Sequence, residues 1–281
     1  MIKLGVIALA SVLVLQPGGL ALAQSSAQAS AKQKAIVDLK EMAEAGDSRS
    51  QVQLGLAYLT GDGVAKNDSE AVKWLRKAAD QDNPVGERYV AEMYFKGRGL
   101  KADNAEAVKW LRLSAEQGDA QSQHNLAVMY IQALGVPRNL KEAANWMRKS
   151  AEQGLAAGQL GLGILYENGQ GVPEDPVEAV KWYRKAIAQD NADAMNNLAL
   201  LLATSRSSSI QNPQEAIALA TKAVAAGNNP DYLDTLAAAY FAAGQPEKAV
   251  ETEQKALALS PDNDSYKQSL QKYLAAANSK R

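Results

Sequence analysis

The side chains able to do chemistry are few in this chain, and most recur at one fixed interval. There is one His, His124, and no Cys. Thiolate metal sites, disulfide staples, cysteine nucleophiles and His-rich metal clusters are therefore excluded. A Ser-His-Asp arrangement through His124 lacks the Gly-x-Ser-x-Gly elbow that would support it. Glu70, Glu106, Glu142 and Glu178 recur every 36 residues. Each follows an Asn or Asp by three residues (Asn67, Asp103, Asn139, Asp175), which is capping-box spacing rather than an acid/base pair. Gly61-Asp62-Gly63, Gly97-Arg98-Gly99 and Gly169-Gln170-Gly171 could suggest phosphate loops. No strand precedes them and no Gly-Lys-Ser/Thr follows, so they read as turns. Trp74, Trp110, Trp146 and Trp182 could stack on sugars or bases, but they fall on the apolar stripe of a helix and read as core. The sequence assigns no catalytic residue, no metal ligand and no cofactor.

The elements that carry these residues follow from the same register. Tyr58, Tyr94, Tyr130 and Tyr166 keep the 36-residue interval, as do Ala71, Ala107, Ala143 and Ala179 and the turn glycines Gly63, Gly99, Gly135 and Gly171. Four units run over 48–191 without an insertion, which marks a repeat architecture. Each unit reads as two helices. The first pairs apolar residues four apart (Leu54 and Tyr58, Val90 and Tyr94, Leu126 and Tyr130, Leu162 and Tyr166), with a small residue at Gly55, Ala91, Ala127 or Gly163 for close approach. The second opens on the Asx cap, with Pro176 at a first helical position that tolerates proline. Ala71, Trp74, Leu75 and Ala78 set its buried stripe. In the third unit Ala133 replaces the first turn glycine, so an altered turn is expected there.

The pattern Leu54-Gly55, Tyr58, Gly61, Gly63-Val64, Ala71-Val72, Trp74-Leu75, Ala78-Ala79 resembles the Sel1-like repeat, a relative of the tetratricopeptide repeat. The resemblance implies an all-α fold, a right-handed superhelical α-solenoid of helical hairpins. Beyond the Trp register, 192–262 resembles two tetratricopeptide-like repeats, through Asn197-Leu198-Ala199, Leu202, Ala216 and Ala223, then Leu233, Leu236-Ala237, Tyr240, Ala249, Ala256 and Pro261. Glu253 stands where that family usually has an aromatic residue. Residues 263–281 form a capping helix and tail, and 24–47 a lead-in and an N-terminal cap with Asp38 at the Trp position.

Lys3, the apolar run Leu4 to Leu15 and Ala21-Leu22-Ala23 form a signal peptide over 1–23, with cleavage expected before Gln24. A periplasmic or secreted protein without membrane insertion is expected. With 30 Lys+Arg against 31 Asp+Glu, nothing in the charge favours a nucleic-acid partner.

The resemblance also implies that the first helices line a concave face along which a partner lies. The residues expected there are Arg49, Val52, Leu56, Arg88, Glu92, Phe95, His124, Val128, Ile131, Leu160, Ile164 and Asp234. Their Val, Leu, Ile and Phe content suits either packing on the next repeat or a partly apolar groove, with Arg49, Arg88 and His124 towards one end and Asp193, Asp231 and Asp234 towards the other. An exported adaptor or scaffold that binds a protein or extended peptide is expected. The family implies settings such as envelope assembly, polysaccharide export or restraint of a sensor protein. Its alternative implication is an envelope enzyme acting on cell-wall or β-lactam substrates. A third reading, carbohydrate binding, requires an exposed Trp ladder.

Overall fold

The structure, a computed structural model, describes residues 33–279. The expected signal peptide and most of the lead-in lie outside them. The described residues form fourteen helices and no strand. Helix α1 covers 33–44. Six hairpins follow: α2 (Ser48–Thr60) with α3 (Asp68–Ala79), α4 (Pro84–Lys96) with α5 (Asn104–Glu116), α6 (Ala120–Gln132) with α7 (Leu140–Glu152), α8 (Ala156–Glu167) with α9 (Pro176–Ile187), α10 (Ala192–Thr204) with α11 (Pro213–Ala226), and α12 (Pro230–Ala242) with α13 (Pro246–Leu259). Helix α14 (Asp264–Asn278) closes the array. Each first helix packs on its own partner and on the second helix of the preceding hairpin, as an α-solenoid requires. First helices also approach one another (α2 with α4, α6 with α8, α10 with α12), whereas the second helices splay apart. The first-helix side is therefore the inner side.

The second helices begin as their capping pattern dictates, with one difference. Asn67, Asp103, Asn139 and Asp175 accept from the amides of Glu70, Glu106, Glu142 and Glu178 at 3.0–3.1 Å. The reciprocal bond from each Glu to the cap amide is missing, because that amide already donates to the carbonyl of Tyr58, Tyr94, Tyr130 or Tyr166. Three of the freed carboxylates turn to a lysine one turn on: Glu70 to Lys73, Glu106 to Lys109 and Glu178 to Lys181. The altered turn expected at Ala133 keeps its shape. Ala133 occupies the left-handed region at φ 57°, in place of glycine, and its amide still donates to Met129.

The second glycine of each turn serves the contact between hairpins. A Cβ on Gly99, Gly135 or Gly171 would lie 2.4, 2.2 or 1.9 Å from the carbonyl oxygen of Asp68, Asn104 or Leu140, the first residue of the preceding hairpin's second helix. Only glycine permits that approach. A second tie joins Arg76, Arg112 and Arg148 to the hydroxyls of Tyr94, Tyr130 and Tyr166 in the following hairpin at 2.8–3.1 Å.

The tryptophans are less deeply placed than their stripe predicts. Trp74 is buried, while Trp110, Trp146 and Trp182 are half-buried. Cations of the chain itself lie over the rings: Lys77 4.2 Å from Trp74, Arg76 5.5 Å from Trp110, Lys149 4.0 Å from Trp146 and Lys185 3.7 Å from Trp182. An indole covered in this way gains cation–π attraction. It does not offer a bare face to a sugar.

A polar ladder runs through the hairpin interfaces. Buried Gln51, Gln123 and Gln159 donate to the carbonyls of Ala43, Ala115 and Ala151 at 3.0, 3.0 and 3.4 Å. They accept from Gln81, Gln153 and Gln189 at 2.7, 2.8 and 2.9 Å. A primary amide can do both at once. In the second hairpin the register holds Glu87 instead, 1% exposed, accepting from Gln117 at 2.8 Å. Burial, with Asp82 adding repulsion, pushes its carboxyl up to about 7 from an ordinary 4.5. The folded state thus binds this proton more tightly than the unfolded chain. Its contribution is complete below pH 4.5 and is lost as pH rises through about 7. Glu87→Gln should therefore match the wild type near pH 4.5 and exceed it by roughly 1–3 kcal/mol at pH 8. Denaturant melts of both proteins at the two pH values check this; an identical difference at both contradicts it.

Candidate functional site

The inner face is built from the exposed stripes of the first helices, and the residues expected to line it fall into three groups. Glu92 and Phe95 on α4 meet His124 and Val128 on α6 around a cavity of about 310 Å³. Phe95 is 47% exposed, a large apolar ring left open beside it. Lys96, Asn125 and Gln132 add polar groups to the lining, and Ala91, Leu111, Met129 and Leu134 apolar ones. Glu92 pairs with Lys96 at 2.6 Å and does not pair with Arg88. Burial lowers the pKa of His124, so the imidazole is neutral at neutral pH. Its Nδ1 is buried without a hydrogen-bond partner. Among the described residues no carboxylate orients the ring, as the base of a catalytic triad would require.

A second group is spent on the fold. Val52 is 6% exposed and packs with Leu75 and Val90 between hairpins, and it meets the floor of the shallow cavity beside Arg49. Leu56, Ile131, Leu160 and Ile164 are half-buried, each packed on the neighbouring core. They form the floor of the face. Arg88 also departs from the expected free cation. Its guanidinium lies 4.6 Å from the Tyr89 ring and its Nε 3.3 Å from Asp119, the residue that caps α6. The cap supplies a negative partner 31 positions along the chain, which the spacing of the first helices alone does not reveal.

The third group sits at the ends. Arg49 is exposed and shares a shallow cavity with Asn83, Pro84 and Val85. Asp234 is half-buried and lines a cavity at the far end. Asp193 and Asp231 accept from the hydroxyls of Tyr232 and Tyr266. The inner face is thus apolar along its middle and acidic at its C-terminal end. Its basic end is narrower than the sequence implied, because Arg88 is already paired and His124 is neutral. Asn125 and Gln132 were not singled out in the sequence; Gln132 lies eight residues beyond His124, so helical spacing could have found it, whereas Asn125, one residue on, falls outside that spacing.

Comparison with known proteins follows from this geometry. The sequence model described as Sel1 repeat matches 48–83, 84–119, 120–155, 156–191 and 192–228. The fifth match extends one hairpin past the last Trp, into the span that resembled tetratricopeptide repeats. No curated protein matches the chain. Among solved structures, c5321, a protective antigen present in uropathogenic Escherichia coli strains and displaying an SLR fold, is 31% identical with a TM-score of 0.57, over 85% of this chain and 59% of that one. The chain therefore spans less than two thirds of that antigen's length. A Sel1 repeat protein from Oxalobacter formigenes is 27% identical with a TM-score of 0.69, over 85% and 95% of the two chains. YrrB, a TPR protein with an unusual peptide-binding site, shares the fold at 17% identity and a TM-score of 0.50, over 69% and 96%.

Proposed function

The chain belongs to the Sel1 repeat family, and from that premise we propose that it is an exported adaptor holding an extended segment of another protein along its inner face. The observation that carries this reading is Phe95, an exposed aromatic ring on the rim of the His124 cavity. An apolar pocket with a few polar groups at its wall suits an aromatic or aliphatic anchor, around which flanking contacts exclude water. Neutral His124 and the amides of Asn125 and Gln132 offer hydrogen bonds to the backbone of such a segment. The half-buried floor of Leu160 and Ile164 continues the apolar track towards the acidic end. Envelope assembly, polysaccharide export and restraint of a sensor protein are settings in which an adaptor of this kind would act. The alternative is an envelope enzyme acting on cell-wall or β-lactam substrates; His124, with its Nδ1 unpartnered among the described residues, does not support a Ser-His-Asp arrangement for it.

Peptides selected from a displayed random library against the purified chain test the binding surface. Phe95→Asp should leave the melting curve unchanged and weaken selected peptides by about tenfold or more. Lys101→Asp, in an exposed hairpin loop, should leave them unaffected. Peptides indifferent to Phe95→Asp would move the binding surface elsewhere. Export rests on the N-terminal segment. Osmotic shock of cells expressing the full chain should release a protein whose intact mass starts at Gln24, and a released or pelleted protein retaining 1–23 would refute it.

A further inference from the structure

His124 is the one imidazole of the chain, and among the described residues neither of its nitrogens makes a hydrogen bond. Nδ1 is closed off from solvent, whereas Nε2 is not. The ring lines the cavity between α4 and α6, so Nε2 is the nitrogen through which it can act. Burial keeps the imidazole neutral at neutral pH, and a neutral imidazole carries one N–H and one bare lone pair. A proton on Nδ1 would bury an N–H with no acceptor, which native structures rarely tolerate. A lone pair left bare there is the smaller loss. The proton therefore belongs on Nε2, and the ring is a hydrogen-bond donor.

The other polar groups of the lining do not take this donor up. Glu92, its one carboxylate, is held by Lys96 at 2.6 Å. The Asn125 carbonyl accepts from Gln121 at 3.0 Å, which leaves the Asn125 amide nitrogen as a second donor. Gln132 is exposed and makes no hydrogen bond among the described residues. Apolar side chains supply the remaining wall, with the Phe95 ring open beside them. At about 310 Å³ the cavity lies near the lower end of the range for ligand pockets, room for one ring rather than two. A small apolar chamber with an unanswered N–H calls for an apolar side chain that carries an acceptor.

We propose that the His124 cavity takes a tyrosine side chain of the partner segment, with its ring beside Phe95 and its phenolic oxygen accepting from Nε2 of His124. This site rests on the reading of the inner face as a peptide-holding surface and names the anchor that surface selects. Phenylalanine and leucine would fill the chamber, but they strip water from the N–H and return nothing. Tryptophan and lysine donate without accepting, and methionine accepts only weakly. A carboxylate would accept, but it carries a charge into a largely apolar chamber beside a neutral ring. Tyrosine combines an apolar body that pairs with Phe95 and a polar tip that both accepts and donates. Its own proton turns to the Gln132 carbonyl or to water. The amide nitrogens of Asn125 and Gln132 stay available to the peptide backbone.

Because the chain has one histidine, long-range nitrogen–proton spectra of the full chain report its tautomer without ambiguity. At pH 8 they should show the proton on Nε2; a proton on Nδ1 removes the donor and overturns the proposal. p-Cresol, the tyrosine side chain without its backbone, is the binding probe, and toluene its phenylalanine counterpart. p-Cresol should shift the His124 and Phe95 signals saturably, with affinity on the order of millimolar. Phe241, the other phenylalanine, should not respond. Toluene should bind at least about fivefold more weakly, since it leaves the N–H unpaired. His124→Phe should abolish that preference, and His124→Gln, which keeps an N–H donor, should retain part of it. No saturable p-cresol shift, equal binding of toluene, an equal response at Phe241, or a preference unmoved by His124→Phe would each overturn the site. The tautomer and the p-cresol preference are read on the wild type, so they decide even where a variant fails to fold. Selected peptides that depend on Phe95 but show no enrichment of tyrosine refute this anchor alone. A p-cresol preference with peptides indifferent to Phe95→Asp refutes the peptide-holding reading instead.

Discussion

The hairpins are held in register by a backbone contact with no room for a side chain. The second turn glycine of the second, third and fourth hairpins (Gly99, Gly135, Gly171) rests against the first carbonyl of the preceding hairpin's second helix, at a distance that excludes even a methyl group. Every other interface in the repeat region is compatible with that spacing. The Arg-to-Tyr hydroxyl bonds, the amide ladder and the packing of Ala78 beneath Gly86 all recur at the same interval. A small error in this contact would be multiplied along the stack, because each repeat touches only its neighbours. The inner face inherits its geometry from it. The His124 cavity lies between two first helices, and Leu134 of the turn after α6 reaches its wall.

The points where the repeat departs from itself are more informative than those where it holds. Glu87 replaces an amide in the ladder and brings a titration with it. Ala133 accepts a left-handed conformation that glycine adopts in the three sister turns, and the turn survives because the surrounding bonds over-determine it. Arg88 faces the inner side but is drawn to the α6 cap. Glu253 occupies an aromatic position and is fully buried. The first two departures concern stability. The last two concern charge: Asp119 withdraws Arg88 from the inner face, and Glu253 places a carboxyl in the core.

Most of the fold was legible because its signals are local and repeated. The Asx caps, the turn glycines and the apolar pairs four apart define each hairpin from the sequence, and the helix bounds follow them closely. The amide ladder was equally periodic, with Gln51, Gln123 and Gln159 in one register, but a search for apolar spacing passes over buried amides. The depth of the tryptophans was overestimated, since a helical stripe says which face is inward and not how far a neighbouring hairpin covers it. The site was legible only as a list. Val52 and Arg88 had the right register for the inner face, yet Val52 was taken by the core and Arg88 by Asp119, contacts between hairpins that no local pattern encodes. Phe95 on α4 and His124 and Val128 on α6 hold different positions in their repeats and share one cavity because first helices of adjacent hairpins present the same face. That Glu253 breaks the pattern is visible in the sequence; that it is fully buried is not.

The most direct test of the account is hydrogen exchange and denaturant unfolding of Gly135→Ala. A methyl group there would stand 2.2 Å from the Asn104 carbonyl oxygen, on a residue held at φ +70°. If this contact sets the stack, the variant should lose about 2 kcal/mol or more. The loss should appear as faster exchange in both α5 and α6, the helices on either side of the contact, with α1 and α14 unchanged. A loss below about 0.5 kcal/mol, with exchange in α5 and α6 as in the wild type, would contradict the claim that the glycine approach holds the hairpins in register.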